Sequence, residues 1–315
     1  MFPYLFKIGF FELRIYSLMY IIALVVCIYM VKKRTDLLGV KKESVENAVI
    51  VTFLMSIIGA RMYYVAFRWD YYKGSFSEMV AVWHGGLAIH GGIIAGILTV
   101  VIYCRFKTIN PVKLGDLIVP WLLFGQGLGR IGNLANGEAH GVPTLTPPSI
   151  VFQMKNGFQS FWADVLNQQG LINTPHSISK LLDRIPVDVT HGGKTYTLKE
   201  YFPWGMSFTD KYHAPAFQEF GRLPVHPTFI YEMILNFLFF IPLYILWRKN
   251  ENIGTGKLVG LYLIFYGVIR SFVTFFRADD LMAGPFRAPH LISMVMVLVG
   301  AGFIYFGKKN GLRRG

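Results

Sequence analysis

Seven long apolar runs set the terms for this chain of 315 residues. They span roughly Ile15–Val31, Val45–Phe67, Leu87–Cys104, Leu114–Ile131, Phe229–Trp247, Leu258–Phe276 and Leu291–Phe306. A helix rises about 1.5 Å per residue, so each run is long enough, or nearly so, to cross about 30 Å of hydrocarbon. Composition agrees. Hydrophobic residues make up 53%, charged residues only 16%, and the mean hydropathy is +0.43; ordinary soluble domains have about 45–50% and about 25%. The runs predict an all-α integral membrane protein with seven transmembrane helices and a long extracytoplasmic insertion between helices four and five. The expected division is 1–136 for helices one to four, 137–225 for the insertion and 226–315 for helices five to seven. A formal charge of +13 on so apolar a chain points to anionic lipid or orientation signals before nucleic acid.

The first run is expected to stay as a helix. Lys7 and Arg14 precede it, but no A-x-A-like cleavage site follows, and Lys32-Lys33-Arg34 closes it as a stop-transfer flank. Orientation follows from the loops. Lys32, Lys33, Arg34, Lys41 and Lys42 follow the first run; Arg105, Lys107 and Lys113 follow the third. Arg248, Lys249 and Lys257 follow the fifth, and the tail adds Lys308, Lys309, Arg313 and Arg314. These fifteen fall on one side, against six on the other outside the long insertion. The positive-inside rule puts the N-terminus outside and the C-terminus in the cytoplasm. From Gly137 to Val225 the chain carries seven basic and seven acidic residues, and a stretch so long needs structure of its own. Short helices and a hairpin around His191-Gly192-Gly193-Lys194 are expected there; its plain reading is a family-variable insertion without chemistry. Cys27 and Cys104 lie inside apolar runs and read as helix packing, not as a disulfide or zinc site.

The informative residues are polar ones at membrane depth: Arg61, His90, Arg130, Glu232 and Arg270, with Arg277 at an outer end. A charge at the bilayer centre costs at least about 2.5–3.5 kcal/mol, so such groups normally face a polar cavity. Interhelical ion pairs or snorkelling ends are the plain alternatives for any one of them. Around Arg130 the chain reads Gly127-Leu-Gly-Arg-Ile-Gly-Asn-Leu-Ala-Asn-Gly-Glu138, then His140-Gly141. Arg130, Asn133, Gly137 and Gly141 share one face if the whole segment is helical. Arg offers a fork of donors suited to phosphate, Asn a neutral donor, and glycine lets backbone and ligand approach closely. A small-residue helix interface explains the glycines but not the Arg, two Asn and Glu beside them. The segment is no Walker or dinucleotide loop.

His84 and His90 stand six residues apart, about 120° around a helix, which is poor for a shared metal. His90, deeper in its run, is a candidate general base, or else a packing histidine. Arg270 and Arg277 lie seven apart and nearly share a face. His226-Pro-Thr-Phe-Ile-Tyr231-Glu232 opens run five, and Tyr16 and Tyr20 share a face of run one.

The segments GLGRIGNLANGE, HGGLAIHGG, HPTFIYE and YGVIRSFVTFFR, carried on seven predicted spans, resemble bacterial prolipoprotein diacylglyceryl transferase. The resemblance runs from about Tyr16 to Arg277 and leaves Pro143–Leu223 unmatched. It implies transfer of an sn-1,2-diacylglyceryl group from phosphatidylglycerol to the lipobox cysteine of a preprolipoprotein signal peptide, with glycerol-1-phosphate released. It also implies a multi-pass protein of the bacterial cytoplasmic (inner) membrane, with membrane lipid and no nucleic acid as partner and no metal or organic cofactor. Arg130 and Arg270 fit fixed cations at the leaving phosphate, and His90 fits a base near the thiol. Asn133, Gly137, Glu138, Gly141, Tyr16, Tyr231 and Arg277 join Arg130 as substrate-binding candidates. One departure stands out. Where the family commonly has Glu four residues after the run-six arginine, this chain has Thr274, which leaves Asp279, Asp280 or Glu232 as the carboxylate for Arg277.

Two other classes bear on the residues. A seven-span transporter or channel for an anionic solute or lipid also wants membrane arginines, yet no repeated half-sequence is visible. A retinal-type receptor is disfavoured, because run seven has no Lys.

Overall fold

The computed structural model describes residues 4–8, 11–154, 157–209, 214–278 and 282–311, and within these the chain is mostly helical. A hairpin of β1 (Tyr4–Ile8) and β2 (Phe11–Arg14) leads into α1 (Ile15–Lys32) and then α2 (Lys42–Phe67). Two short helices, α3 (Trp69–Tyr72) and α4 (Phe76–Val80), precede α5 (Ile89–Phe106) and α6 (Pro111–Asn136). Next come α7 (Pro148–Val151), α8 (Phe158–Gln168), α9 (Pro175–Ser179), the hairpin β3 (Val187–His191) and β4 (Lys194–Leu198), and α10 (Pro215–Phe220). The chain ends with α11 (Thr228–Trp247), α12 (Lys257–Phe276), the two-residue strands β5 (Met282–Ala283) and β6 (Phe286–Arg287), and α13 (Ala288–Gly311).

Six of these helices are long and apolar enough to cross a membrane: α1, α2, α5, α11, α12 and α13. Between 11% and 33% of each apolar window is buried within the chain, so most of each surface faces outward. On α5 that surface carries Ile93, Ile97, Leu98 and Ile102, and on α13 Met294, Val295 and Leu298, all exposed. In water such a band would be untenable; in lipid it is the expected exterior.

The fourth expected run forms a helix, α6, but is not among the six. Its apolar content falls short of theirs. At 26 residues it is about 39 Å long, so length is no obstacle. Asp116, Gln126, Arg130, Asn133 and five glycines lower its hydropathy. The reason is its position: α6 packs against α1, α11 and α12, so its neighbours are protein and its polar residues have somewhere to go. The buried Asp116 carboxylate accepts N–H bonds of 2.8–3.1 Å from Gly254, Gly256, Leu258 and Val259 at the start of α12. That clasp fixes the height of α6 against α12, and with it the height of Arg130 against Arg270.

Residues between α6 and α11 build an apolar core of their own. Phe158, Phe161, Trp162 and Val165 of α8 pack with Leu181, Val189, Leu198 and Phe220, and the cluster continues to Phe229 and Phe276 at the ends of α11 and α12. The hairpin falls where the sequence put it, with His191 paired to Lys194 across Gly192-Gly193. Isolated β-bridges from Gly141 to Arg277 and from Val225 to Pro143 and Met206 tie this region to the helix ends.

Candidate active site

Three helices bring one charge cluster together. Arg130, near the end of α6, donates from Nη1 to Asn133 Oδ1 at 2.9 Å and from Nη2 to the Glu232 carboxylate on α11. Arg270 of α12 reaches the other carboxylate oxygen of Glu232 at 3.7 Å. Glu232 is fully buried while the arginine side chains keep 19% and 22% exposure, so the carboxylate is the inner anchor and the guanidiniums form the rim. A buried carboxylate is tolerable only with such pairing, and a guanidinium has donors left after two bonds. The phenols of Tyr16 and Tyr266 also lie close enough to act electrostatically on Arg130.

Helix α6 stops at Asn136, so the four residues of the Arg130 segment do not share one helical face. Gly137 is the C-cap in the left-handed region (φ +67°), its N–H turned back to α6 carbonyls. Gly141 lies beyond the helix, wedged between backbones: its N–H donates to His226 O at 2.8 Å, and Val142 N–H to Phe276 O at 2.8 Å. A Cβ there would sit 2.4 Å from Phe276 O and 2.6 Å from His226 Cβ. Both glycines are therefore demanded by backbone geometry. Between them Ala139 holds φ +55°, a left-handed backbone that costs a non-glycine residue on the order of 1 kcal/mol. The turn shapes a cleft of about 360 Å³ lined by Arg130, Asn133, Glu138, His140, Pro215 and Arg277. Two guanidiniums in a cleft this size suit a phosphate ester. Glu138 accepts from Asn136 Nδ2 at 2.9 Å. His140 Nε2 pairs with Glu219 Oε2 of α10 at 3.0 Å.

Tyr16 packs on Gly132, two residues after Arg130, and receives a 3.0 Å hydrogen bond from Tyr20. The Tyr231 hydroxyl is already committed. It accepts from Trp204 Nε1 at 2.7 Å and stands 3.0 Å from His226 Nδ1. Indole can only donate, so the phenol oxygen accepts there and turns its remaining capacity to the imidazole. Burial pushes that imidazole down to about 4, which keeps it neutral at physiological pH. Tyr231 thus ties the region after α6 to the start of α11.

His90 stands apart. It is exposed near the start of α5, with the Tyr63 ring of α2 at 6.3 Å. Among the described residues no contact joins it to Arg130, Glu232 or Arg270. Arg61, buried on α2, serves the loop leading to it. Its guanidinium donates to the carbonyls of Glu78, Met79, Gly85 and Gly86 at 2.5–3.0 Å and lies over the Tyr72 ring. Cys27 and Cys104 are free and buried in apolar packing.

Two members of the cluster were outside the sequence-derived site set. Glu232 was visible as a polar residue at membrane depth, but nothing local marked it as the link between two arginines. Tyr266 lies near Glu232, Arg130, Arg270 and Arg277; only its place one turn before Arg270 hinted at this. Thr274, in the family's glutamate position, bonds back to Arg270 O at 2.7 Å and brings no charge. Asp279 and Asp280 lie outside the described residues. Glu232 is the carboxylate found between Arg130 and Arg270.

Fold and site together define a polytopic membrane protein with a basic cleft at the end of α6. Residues 3–306 match the family model described as prolipoprotein diacylglyceryl transferase, and the chain belongs to that family. It is 39% identical over 308 residues to a phosphatidylglycerol–prolipoprotein diacylglyceryl transferase of Fusobacterium nucleatum, covering 98% of each chain. Proteins of the same name from Fervidobacterium nodosum and Streptococcus uberis are 30% and 27% identical, each over 98% of this chain and over 87% and 96% of their own lengths.

Proposed function

We propose that this protein is a transferase that moves the sn-1,2-diacylglyceryl group of phosphatidylglycerol onto the lipobox cysteine of preprolipoproteins. The observation that carries this reading is the Arg130–Glu232–Arg270 cluster inside a chain of this family. The substrate thiolate attacks the glyceryl carbon that bears the phosphate. A carbon–sulfur bond forms, the carbon–oxygen bond breaks, and glycerol-1-phosphate leaves with the electron pair and the negative charge. Arg130 and Arg270, held by Glu232, stabilise that charge, and Arg277, Asn133 and Glu138 shape the head-group cleft beside them. Gly137 and Gly141 serve through the turn they permit, and Tyr16 and Tyr231 through the walls they brace. His90 takes the thiol proton. Displacement at a tetrahedral carbon puts the entering sulfur and departing oxygen on opposite sides, so a base remote from the arginines suits the reaction.

In this reading α6 is a seventh span, the fourth in order, and residues 137–225 form an extracytoplasmic cap between the helices of 1–136 and those of 226–315. The N-terminus lies outside the bacterial cytoplasmic membrane and the C-terminus inside. The test is direct. Purified protein in phosphatidylglycerol vesicles should add a diacylglyceryl mass to a lipobox peptide, and none to the same peptide with Cys→Ser. Solute or lipid flux without an adduct would favour a carrier and defeat the proposal.

A further inference from the structure

Below the arginines the bundle stays polar. Four residues down from Arg130 on α6 lies Gln126; four and eight residues down from Arg270 on α12 lie Tyr266 and Tyr262. Residues four apart share a helix face. Gln126 Nε2 donates to the Tyr262 hydroxyl at 3.0 Å, and the Tyr262 and Tyr266 rings stack 6.1 Å apart, 5° from parallel. On α1, Tyr20 lies close enough to Tyr266 and Arg130 to act on both electrostatically. One turn below Glu232 on α11 stands Asn236, fully buried, with neither Oδ1 nor Nδ2 hydrogen-bonded; Gln126 Oε1 is likewise unbonded. The two amide oxygens call for donors, while the donors left over in this layer are the buried Asn236 Nδ2 and the Tyr262 O–H, whose oxygen already accepts from Gln126. At membrane depth such groups need polar company.

We infer that the Gln126–Tyr262 pair is a subsite for the ester carbonyls of the lipid's glycerol backbone, an inference that rests on the phosphatidylglycerol reading of the same site. An ester carbonyl only accepts. The Tyr262 oxygen already accepts from Gln126, so its own O–H is left to donate. Gln126, Tyr262 and Tyr266 are each half-buried, so this wall remains within reach of a lipid. The spacing also fits. Gln126 lies four residues, about 6 Å of rise, below Arg130, similar to the path from a phosphorus atom along P–O–C–C–O to the ester oxygen of the same glycerol, and Tyr262, eight residues below Arg270, is held at that level by its bond to Gln126. A phosphate on the arginines thereby sets the esters against Gln126 and Tyr262. The transferred group is then recognised as a diacylglyceryl, not merely as two hydrocarbon tails.

The experiment compares dioleoyl phosphatidylglycerol with its 1,2-di-O-oleyl ether counterpart, which keeps the phosphate, head group and chains but lacks both carbonyls. Transfer to a lipobox peptide is measured for the wild type, Gln126→Leu and Tyr262→Phe, the last keeping the stacked ring. The wild type should prefer the diester by about tenfold in kcat/KM, the worth of one well-made hydrogen bond. In both variants that preference should collapse towards unity. A wild type that uses both lipids equally overturns the inference whatever the variants do. Variants that lose rate on both lipids alike, with the preference kept, overturn it as well. A wild type that modifies the peptide with neither lipid sinks the transferase reading itself, a result distinct from the other two.

Discussion

Glu232 decides how the two arginines can work. Three charges with a net of +1 are held in one place, and the only anion among them is fully buried. Replacing it with Gln keeps the shape and one accepting oxygen but leaves two guanidiniums facing each other without a counter-charge. Breaking a buried pair from one side costs about 3–5 kcal/mol. Glu232→Gln should therefore lower transfer by at least about 10²-fold and lower the thermal midpoint in detergent; turnover within threefold of wild type would show that the carboxylate organises nothing. That such a residue escaped the site inferred from sequence has a physical cause. Arg130 and Glu232 are 102 positions apart, and hydropathy marks each as costly without saying which pays for which. Arg61 is the converse case. It looked like a pocket charge, and its donors are taken up by carbonyls of the loop from Glu78 to Gly86, a set of partners that no side-chain pattern announces.

At the scale of elements, the joint after α6 is where chain geometry and chemistry meet. Gly141 was expected to leave room for a ligand, yet what it leaves room for is the backbone of Phe276 and His226. Two of the three nearest atoms are main-chain carbonyl oxygens and the third is the His226 Cβ fixed to that main chain, in a segment bridged to Arg277, so they cannot yield as the end of a flexible side chain would. Gly141→Ala should cost about 1–3 kcal/mol of stability, read as a lower melting temperature in detergent without added phosphatidylglycerol. A variant with an unaltered melting temperature and only a raised lipid KM would return Gly141 to the head-group pocket. Helices were legible because apolar length is a local property, and the β3–β4 hairpin because Gly192-Gly193 is a local turn signal. Where α6 ends was less so. A three-four-four spacing reads as one helix face until the left-handed Gly137 breaks it, and a glycine in a glycine-rich helix gives little warning of a cap. The fourth run is less apolar than the other six for a global reason, since its neighbours are other helices.

At the scale of the whole molecule, the unequal distribution of Lys and Arg is the ground for the proposed orientation. Fifteen basic residues fall in the loops and tail assigned to the cytoplasm, while the region between α6 and α11 is charge-balanced and carries the cleft's wall through Pro215, with Glu219 pairing the lining His140. In the proposed function a thiol donor exported across the membrane meets the arginines from outside, which is the side that the proposed orientation gives them. The two native cysteines are buried, Cys27 at 6% and Cys104 at 1% exposure, which makes the chain a quiet background for labelling. Ser160 on α8 and Glu251 between α11 and α12 are exposed at sites predicted to face opposite sides. In intact cells whose outer barrier is open, a membrane-impermeant maleimide should label Ser160→Cys and spare Glu251→Cys, and lysis should release the second. Labelling of Glu251→Cys alone before lysis would invert the topology and put the arginine cleft on the wrong side for a secreted thiol. Labelling of both would mean that the basic loops do not hold the chain in one orientation.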